Sequence, residues 1–179
     1  MEKCTFDDFN EYRNAQVETH LRKIHLTWFC GMTALPFRLA AEKLLADSSL
    51  SVICMGSRNG LEPRFFHEYG FARSLGTDIA PTANVLPYMM MHDFHEMRPS
   101  YVAPFDVLYS NSFDHAIDID KFLLAGRSFL RDKSVIILDY SPSDNSTIEH
   151  SKSADCLAIG MDELISRVYS VTGNSHALG

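Results

Sequence analysis

Long hydrophobic runs are missing from this 179-residue chain. No stretch approaches the roughly 18 apolar residues of a membrane-crossing helix, so no such span is expected. Basic residues are also scarce: 16 Lys and Arg stand against 23 Asp and Glu, a formal net charge of -7. Affinity for a phosphate backbone comes from cations that displace condensed counterions, so a nucleic-acid partner is disfavoured. The cysteines are few and scattered. Cys4, Cys30, Cys54 and Cys156 form no CxxC pair and have no zinc-site spacing with histidine, which suits reduced thiols in a cytoplasmic protein. The opening stretch MEKCTFDDFNEYRN lacks the apolar segment and small-residue cleavage site of a secretion signal, which points the same way. Also lacking are the GxGxxG dinucleotide fingerprint, the GxSxG nucleophile elbow, the HExxH metal helix and any internal repeat.

What remains is an ordinary globular composition. With 46% hydrophobic and 22% charged residues the chain can bury a core, and its length suits one domain over 1–179. A helical N-terminal extension over 1–47 is expected to precede an α/β core over 50–179.

Between Phe6 and Trp28 the residues Val17, Leu21, Ile24 and Trp28 recur at three-to-four spacing and predict one helix with that stripe inward. A break from Gly31 to Pro36 then leads to a second helix over Phe37 to Ala46, with Phe37, Ala41, Leu44 and Leu45 on one face. The run Ser51 to Met55 reads as a strand buried on both faces, followed by a helix over Glu62 to Tyr69 and a strand over Ala72 to Thr77. A short apolar segment at Tyr88 to Met91, a strand over Asp106 to Ser110, a helix over Ile119 to Leu130 and a strand over Ser134 to Tyr140 continue the alternation. Such alternation predicts a doubly wound, mostly parallel sheet. The polar stretch Ser141 to Ser153 reads as a mobile loop, Asp162 to Val168 as a helix and Tyr169 to Thr172 as a last strand, with His176 to Gly179 a possible edge. The Met89 to Met91 run and the Phe65-Phe66 pair are expected in the core.

In an open parallel sheet, ligands bind beyond the carboxyl ends of the strands. Four such ends can be read: Gly56-Ser57-Arg58-Asn59-Gly60, Asp78, Asp93-Phe94-His95 and Asn111-Ser112-Phe113-Asp114-His115. Glycines at 56 and 60 allow positive φ and close approach of the main chain to a ligand. Arg58 and Leu61 stand where a dinucleotide fingerprint needs its second and third glycines, which counts against a nicotinamide reading. Asp78 follows the turn by about 20 residues, where an acid can accept both hydroxyls of a ribose; the same residue suits a turn or a cap ahead of Pro81. Arg58 can clasp a carboxylate bidentately, of a ligand, of Asp78 or of Asp93, or lie on the surface. His92, His95 and His115 suggest a general base at His95 or His115 rather than a metal site.

The ordered blocks ICMGSRNGLEPRFF, GTDIAP, HDFHEM, FDVLYSNSFDHAIDIDKF and SVIILDY cover about half the chain and resemble the successive motifs of class I S-adenosylmethionine-dependent methyltransferases. More narrowly they resemble a methyltransferase-like group with Arg in the glycine turn, a DFH block and an SNxxDHA block. The resemblance implies a Rossmann-like methyltransferase fold, S-adenosylmethionine as cofactor, and methyl transfer to a small-molecule or protein acceptor. It implies that Gly56, Ser57, Arg58, Asn59 and Gly60 pass the methionine part, that Asp78 with Ile79 after it holds the ribose, that Asp93 and Phe94 flank the adenine, and that Asn111, Ser112 and Phe113 sit beside the sulfonium. The chain departs from the pattern at Cys54, where the family carries Asp or Glu, and at Arg58. Glu62 or a backbone carbonyl is expected to replace the missing carboxylate. The N-terminal helices are expected to cover the crevice and help choose the acceptor. The alternative is a catalytically inactive relative serving as an interaction or regulatory domain.

Overall fold

A computed structural model describes residues 6–27, 29, 31–140, 157 and 159–172. The sheet is built from β1 (Ser51–Met55), β2 (Arg73–Asp78), β3 (Met89–Met91), β4 (Phe105–Ser110) and β5 (Leu130–Leu138). All four pairings are parallel, and the spatial order is β3-β2-β1-β4-β5. Strand order therefore reverses between β1 and β4, and a crevice at their carboxyl ends follows from the topology.

The central strands β1 and β4 are buried along their whole length because both faces are covered. Successive residues of a strand point to opposite faces, and β1 divides accordingly. Val52 and Cys54 join a cluster with Phe29, Ala34 and Ala41 of the N-terminal region and with Phe66 of α3 (Leu61–Glu68). Ile53 and Met55 join the opposite cluster with Phe122 and Leu123 of α4 (Ile119–Ser128) and Leu164 of α5 (Met161–Thr172). The chain is thus a doubly wound, all-parallel α/β sheet of the Rossmann-like kind, with a helical start.

The helical start differs from the expected one in two ways. The first helix, α1 (Phe9–Lys23), is capped by Asp8 and buries Tyr12, Gln16 and His20, while Leu21 is 51% exposed. The predicted stripe of Val17, Leu21 and Ile24 is therefore not the inward one, because the surface this helix meets is polar; Trp28 lies outside the described residues. The second helix, α2 (Gly31–Leu45), runs through the expected break, with Pro36 inside it on the exposed side. Burial of Ala34 and Ala41 against the sheet overrides the local cost of a proline in an early turn. α2 packs with α3 on one sheet face, so only α1 covers the crevice.

Two more boundaries moved. β5 starts four residues early, at Leu130, because Phe105 of β4 pairs there and Arg131 reaches Asp106, although Arg131, Asp132 and Lys133 are exposed and polar. The predicted last strand at Tyr169 to Thr172 is the end of α5, whose Leu164, Val168 and Val171 recur at four and three residues and pack into the α4 cluster. Ser141 to Ser153 and His176 to Gly179 lie outside the described residues. Of the expected core pairs, Phe66 is fully buried, whereas Met89 to Met91 form a partly exposed edge strand.

Candidate active site

The carboxyl ends of β1, β2, β3 and β4 surround a crevice with about 470 Å³ of empty space, its open mouth included. Its floor and walls are Gly56, Arg58, Asp78, Ile79, Asp93, Phe94, Ser112 and His115, and its roof is Tyr12, Gln16 and His20 of α1.

The turn after β1 is tight because Gly56 and Ser57 both donate to the carbonyl of Thr77, at 2.9 Å each. Gly56 has φ +80°, and a Cβ on it would stand 2.8 Å from Ser112 Cβ and 3.6 Å from Phe94. A side chain there would fill the meeting point of the β1 and β4 ends. Ser112 Oγ closes that point by donating to the Gly56 carbonyl at 3.1 Å. Arg58, also at positive φ, uses its backbone N–H to donate to Asp78 Oδ2 at 2.9 Å. Among the described residues its guanidinium clasps no carboxylate: Nη1 donates to the carbonyl of Lys23 at 3.2 Å, at the end of α1. Burial lowers the Arg58 guanidinium from its ordinary value, against the opposing charges of Glu62 and Asp78.

Other members of the turn are its scaffold and not its lining. Ser57 is buried and donates to the Cys54 carbonyl at 3.1 Å. Asn59 Nδ2 donates to the carbonyls of Ile24 and Leu26, both at 3.1 Å. Gly60, at φ +74°, caps α3 and passes the side chain of Met89.

Asp78 ends β2 with both oxygens engaged. Ala80 N–H donates to Oδ1 at 2.9 Å, and His20 Nδ1 lies 2.9 Å from the same oxygen. That second contact lacks hydrogen-bond alignment. His20 Nε2 meets Thr82 Oγ1 at 2.7 Å, so this imidazole bridges α1 to the β2 end. Ile79 and Phe94 supply apolar surface beside the carboxylate.

Asp93 is fixed by His95, whose N–H and Nδ1 both stand 2.9 Å from Oδ1. Burial pushes Asp93 up, but these hydrogen bonds and the positions of His95 and His92 outweigh it and hold the carboxyl below its ordinary value. His95 is packed among Phe9, Tyr12 and Phe94 with its side chain 5% exposed, and it does not line the crevice. His115 does line it. Its Nδ1 is 3.3 Å from Gln16 Oε1, its carbonyl accepts from Tyr12 Oη at 3.1 Å, and Asp114 Oδ1 is 4.0 Å from its Nε2. Phe113, expected beside the ligand, is 3% exposed and belongs to the α4 core cluster.

One buried carboxylate stands behind the turn. Glu62, in the first turn of α3, is 7% exposed, and Asn111 Nδ2 donates to its Oε1 at 3.4 Å. Its Oε2 is buried without a hydrogen-bond partner. Burial raises its pKa from 4.5 to about 7, despite Arg58 and Asn111, which favour the charge. Burial, and after it the charge of Glu62, raise the Cys54 thiol above its ordinary value. Cys54 is fully buried between the sheet and the α2–α3 layer.

Neither Tyr12, Gln16 nor His20 was marked by the strand-end argument. Their spacing of four residues on one face of a helix is the signal that could have found them. Among the described residues no group of three or more His, Cys, Asp or Glu side chains is placed to hold a metal ion, and no helix is long and apolar enough to cross a membrane.

No protein-family model matches the chain, and no curated protein sequence does. Solved structures match in shape. The sugar N-methyltransferase KedS8 of a Streptoalloteichus species is 15% identical, with TM-score 0.52 over 70% of this chain and 54% of that one. The 1,6-didemethyltoxoflavin-N1-methyltransferase of Burkholderia thailandensis, solved with 1,6-didemethyltoxoflavin and S-adenosylhomocysteine bound, is 17% identical, with TM-score 0.55 over 74% and 64%. A TehB-like SAM-dependent methyltransferase of Corynebacterium glutamicum is 13% identical, with TM-score 0.54 over 92% and 84%. The chain spans less than two thirds of the first two enzymes. At such identities the likeness is one of fold, and the fold is that of methyltransferases that use S-adenosylmethionine.

Proposed function

We propose that this protein transfers a methyl group from S-adenosylmethionine to a small-molecule or protein acceptor. The observation that carries the reading is the crevice at the reversal of strand order, where the Gly56 main chain and the Asp78 carboxylate meet. Two features fit an adenosyl amino acid: the side-chain-free approach at Gly56, and the unpartnered buried oxygen of Glu62, which suits a cationic group. When bound, S-adenosylmethionine supplies an electrophilic methyl on a positively charged sulfur.

The residues then divide the work. Asp78, oriented by the N–H groups of Arg58 and Ala80, accepts from the sugar hydroxyls. Phe94 and Ile79 flank the base, and Asp93, held by His95, faces its polar edge. Glu62, steadied by Asn111, receives the amino-acid ammonium in place of the carboxylate that Cys54 cannot supply. His115 donates from Nδ1 to Gln16, which leaves Nε2 as the atom that takes the acceptor's proton. Positioning and electrostatics carry the catalysis, with no covalent intermediate on the protein.

A second reading, a non-catalytic relative that serves in interaction or regulation, is favoured by one observation: His20 already stands on Asp78. Calorimetric titration with S-adenosylmethionine and S-adenosylhomocysteine, alongside thermal unfolding, separates the two. A ligand at tenfold excess over its Kd should add about 1.4 kcal/mol of stability. Silence toward both ligands would establish the second reading, and a response to adenine nucleotides alone would point to different chemistry.

A further inference from the structure

α1 is fastened unevenly. At its N-terminal end the Tyr12 ring packs edge-on against His95 with centroids 5.7 Å apart, and Phe9 and Phe6 pack around it. Toward its C-terminal end every fastening named above is polar, and all but the Thr82 contact of His20 come from a residue of the crevice or its turn. Gln16 holds His115, His20 holds Asp78, and the Arg58 and Asn59 side chains donate to the carbonyls of Lys23, Ile24 and Leu26. Tertiary burial of an apolar face seats most helices, but the face buried here is Tyr12, Gln16 and His20, and Leu21 points to solvent. Such an end is held by contacts whose net contributions are individually small and which a ligand can replace one for one.

From this asymmetry we propose that α1 is a strap over the crevice, hinged at Tyr12 and latched by His20 on Asp78, and that cofactor entry releases the latch. The inference rests on Asp78 being the sugar ligand. The His20 ring stands within 2.9 Å of the Asp78 oxygen that sugar hydroxyls would approach, so sugar and imidazole compete for one carboxylate. Poor alignment of that contact, with Thr82 bonding the far side of the ring at 2.7 Å, makes it a catch that opens when a better donor arrives. Apparent affinity is then the intrinsic affinity reduced by the fraction of unlatched protein.

The sign of one substitution decides the matter. A latch predicts that His20→Ala binds S-adenosylhomocysteine more tightly than the unaltered protein, by about three- to tenfold, the net worth of one modest polar contact. A cofactor ligand, or a merely structural histidine, predicts weaker or equal binding. Thr82→Val frees the ring without touching α1 and should shift affinity the same way by a smaller factor, which keeps the test open if His20→Ala folds poorly. Hydrogen exchange supplies an independent readout: S-adenosylhomocysteine should speed exchange of amides 20–23 while slowing those of the 56–60 turn. Binding that is equal or weaker in both variants, or protection of α1 on binding, overturns the latch alone. Absence of binding in the unaltered protein and in both variants overturns the cofactor reading and takes the latch with it.

Discussion

Replacing Glu62 by Gln should make the protein more stable and a worse cofactor binder at once. Ionising this carboxyl in the fold is unfavourable because burial raises its pKa from 4.5 to about 7. Each pKa unit is about 1.36 kcal/mol, so an ionised Glu62 costs roughly 3 kcal/mol above pH 7. The sign follows from linkage. A folded-state pKa above the unfolded one means the native protein binds the extra proton, so Glu62 lowers stability progressively as pH rises from about 4.5 to 7 and by the full amount beyond. Glutamine carries no charge but must bury an amide beside the same neighbours, which returns part of the gain; a net increase of about 1–3 kcal/mol at pH 8 is expected, and close to none at pH 5. Urea unfolding at the two pH values measures it, with thermal midpoints rising by roughly 2–12 °C at pH 8. Calorimetry on the same samples should show cofactor affinity down at least tenfold. Equal stability at both pH values would refute the buried charge, and unchanged affinity would remove Glu62 from the site.

Asp78→Asn should abolish measurable S-adenosylhomocysteine binding by calorimetry while the fold survives, since one amide oxygen can still accept from Arg58 or Ala80; retained affinity would remove Asp78 as the sugar ligand. His115→Ala should keep cofactor affinity and lose about 10²–10⁴ in turnover once an acceptor is in hand, the usual worth of a general base, and normal turnover would end that role. Gly56→Ala, at φ +80° and with its new carbon 2.8 Å from Ser112 Cβ, should cost about 1–3 kcal/mol of stability in chemical unfolding, and a neutral result would show that the turn relaxes freely. Asp93 lies below its ordinary carboxyl value, so its stabilising contribution is present near neutrality and is lost as pH falls through and below about 3.8; Asp93→Asn should flatten the acid limb of the stability curve, and an unaltered limb would mean His95 does not hold the charge.

The sheet was readable because its strands obey simple rules. Ser51 to Met55 is buried at every position and apolar from Val52 on since helices cover both faces, and the chain ahead of it and behind it switches to helical spacing. Errors fell where tertiary contacts override local preference. Pro36 reads as a boundary, yet Ala34 and Ala41 pack against the sheet on either side of it. Tyr169 to Thr172 has strand-forming residues, but Val168 and Val171 share a helical face with Leu164. Arg131 to Lys133 reads as a loop, whereas pairing with β4 carries that edge strand back to Leu130.

The candidate site was readable from strand ends for the same reason, because β-strand termini and turn glycines are local features: Gly56, Arg58, Asp78, Ile79, Asp93, Phe94, Ser112 and His115 are all brought to one crevice. What no local rule distinguishes is which neighbours of those residues look inward. Phe113 and Ser112 are adjacent, and one packs in the core while the other donates to Gly56. The roof is a deeper case. A helix laid on a core turns its apolar stripe inward, but a helix laid across a polar crevice must present hydrogen-bonding groups, since buried donors and acceptors need partners. For α1 the inward face is therefore the one the periodicity rule assigns to solvent, with Tyr12, Gln16 and His20 meeting the carbonyl of His115, its ring and Asp78. A helix whose polar residues fall into register at four-residue spacing while its apolar ones do not find cover is the sequence mark of such a roof. Replacing Gln16 by Leu would test the rule directly: a gain in stability would mean the surface below is apolar after all, whereas a polar surface predicts a loss of about 1–3 kcal/mol from the unsatisfied partner on His115, measured by urea unfolding.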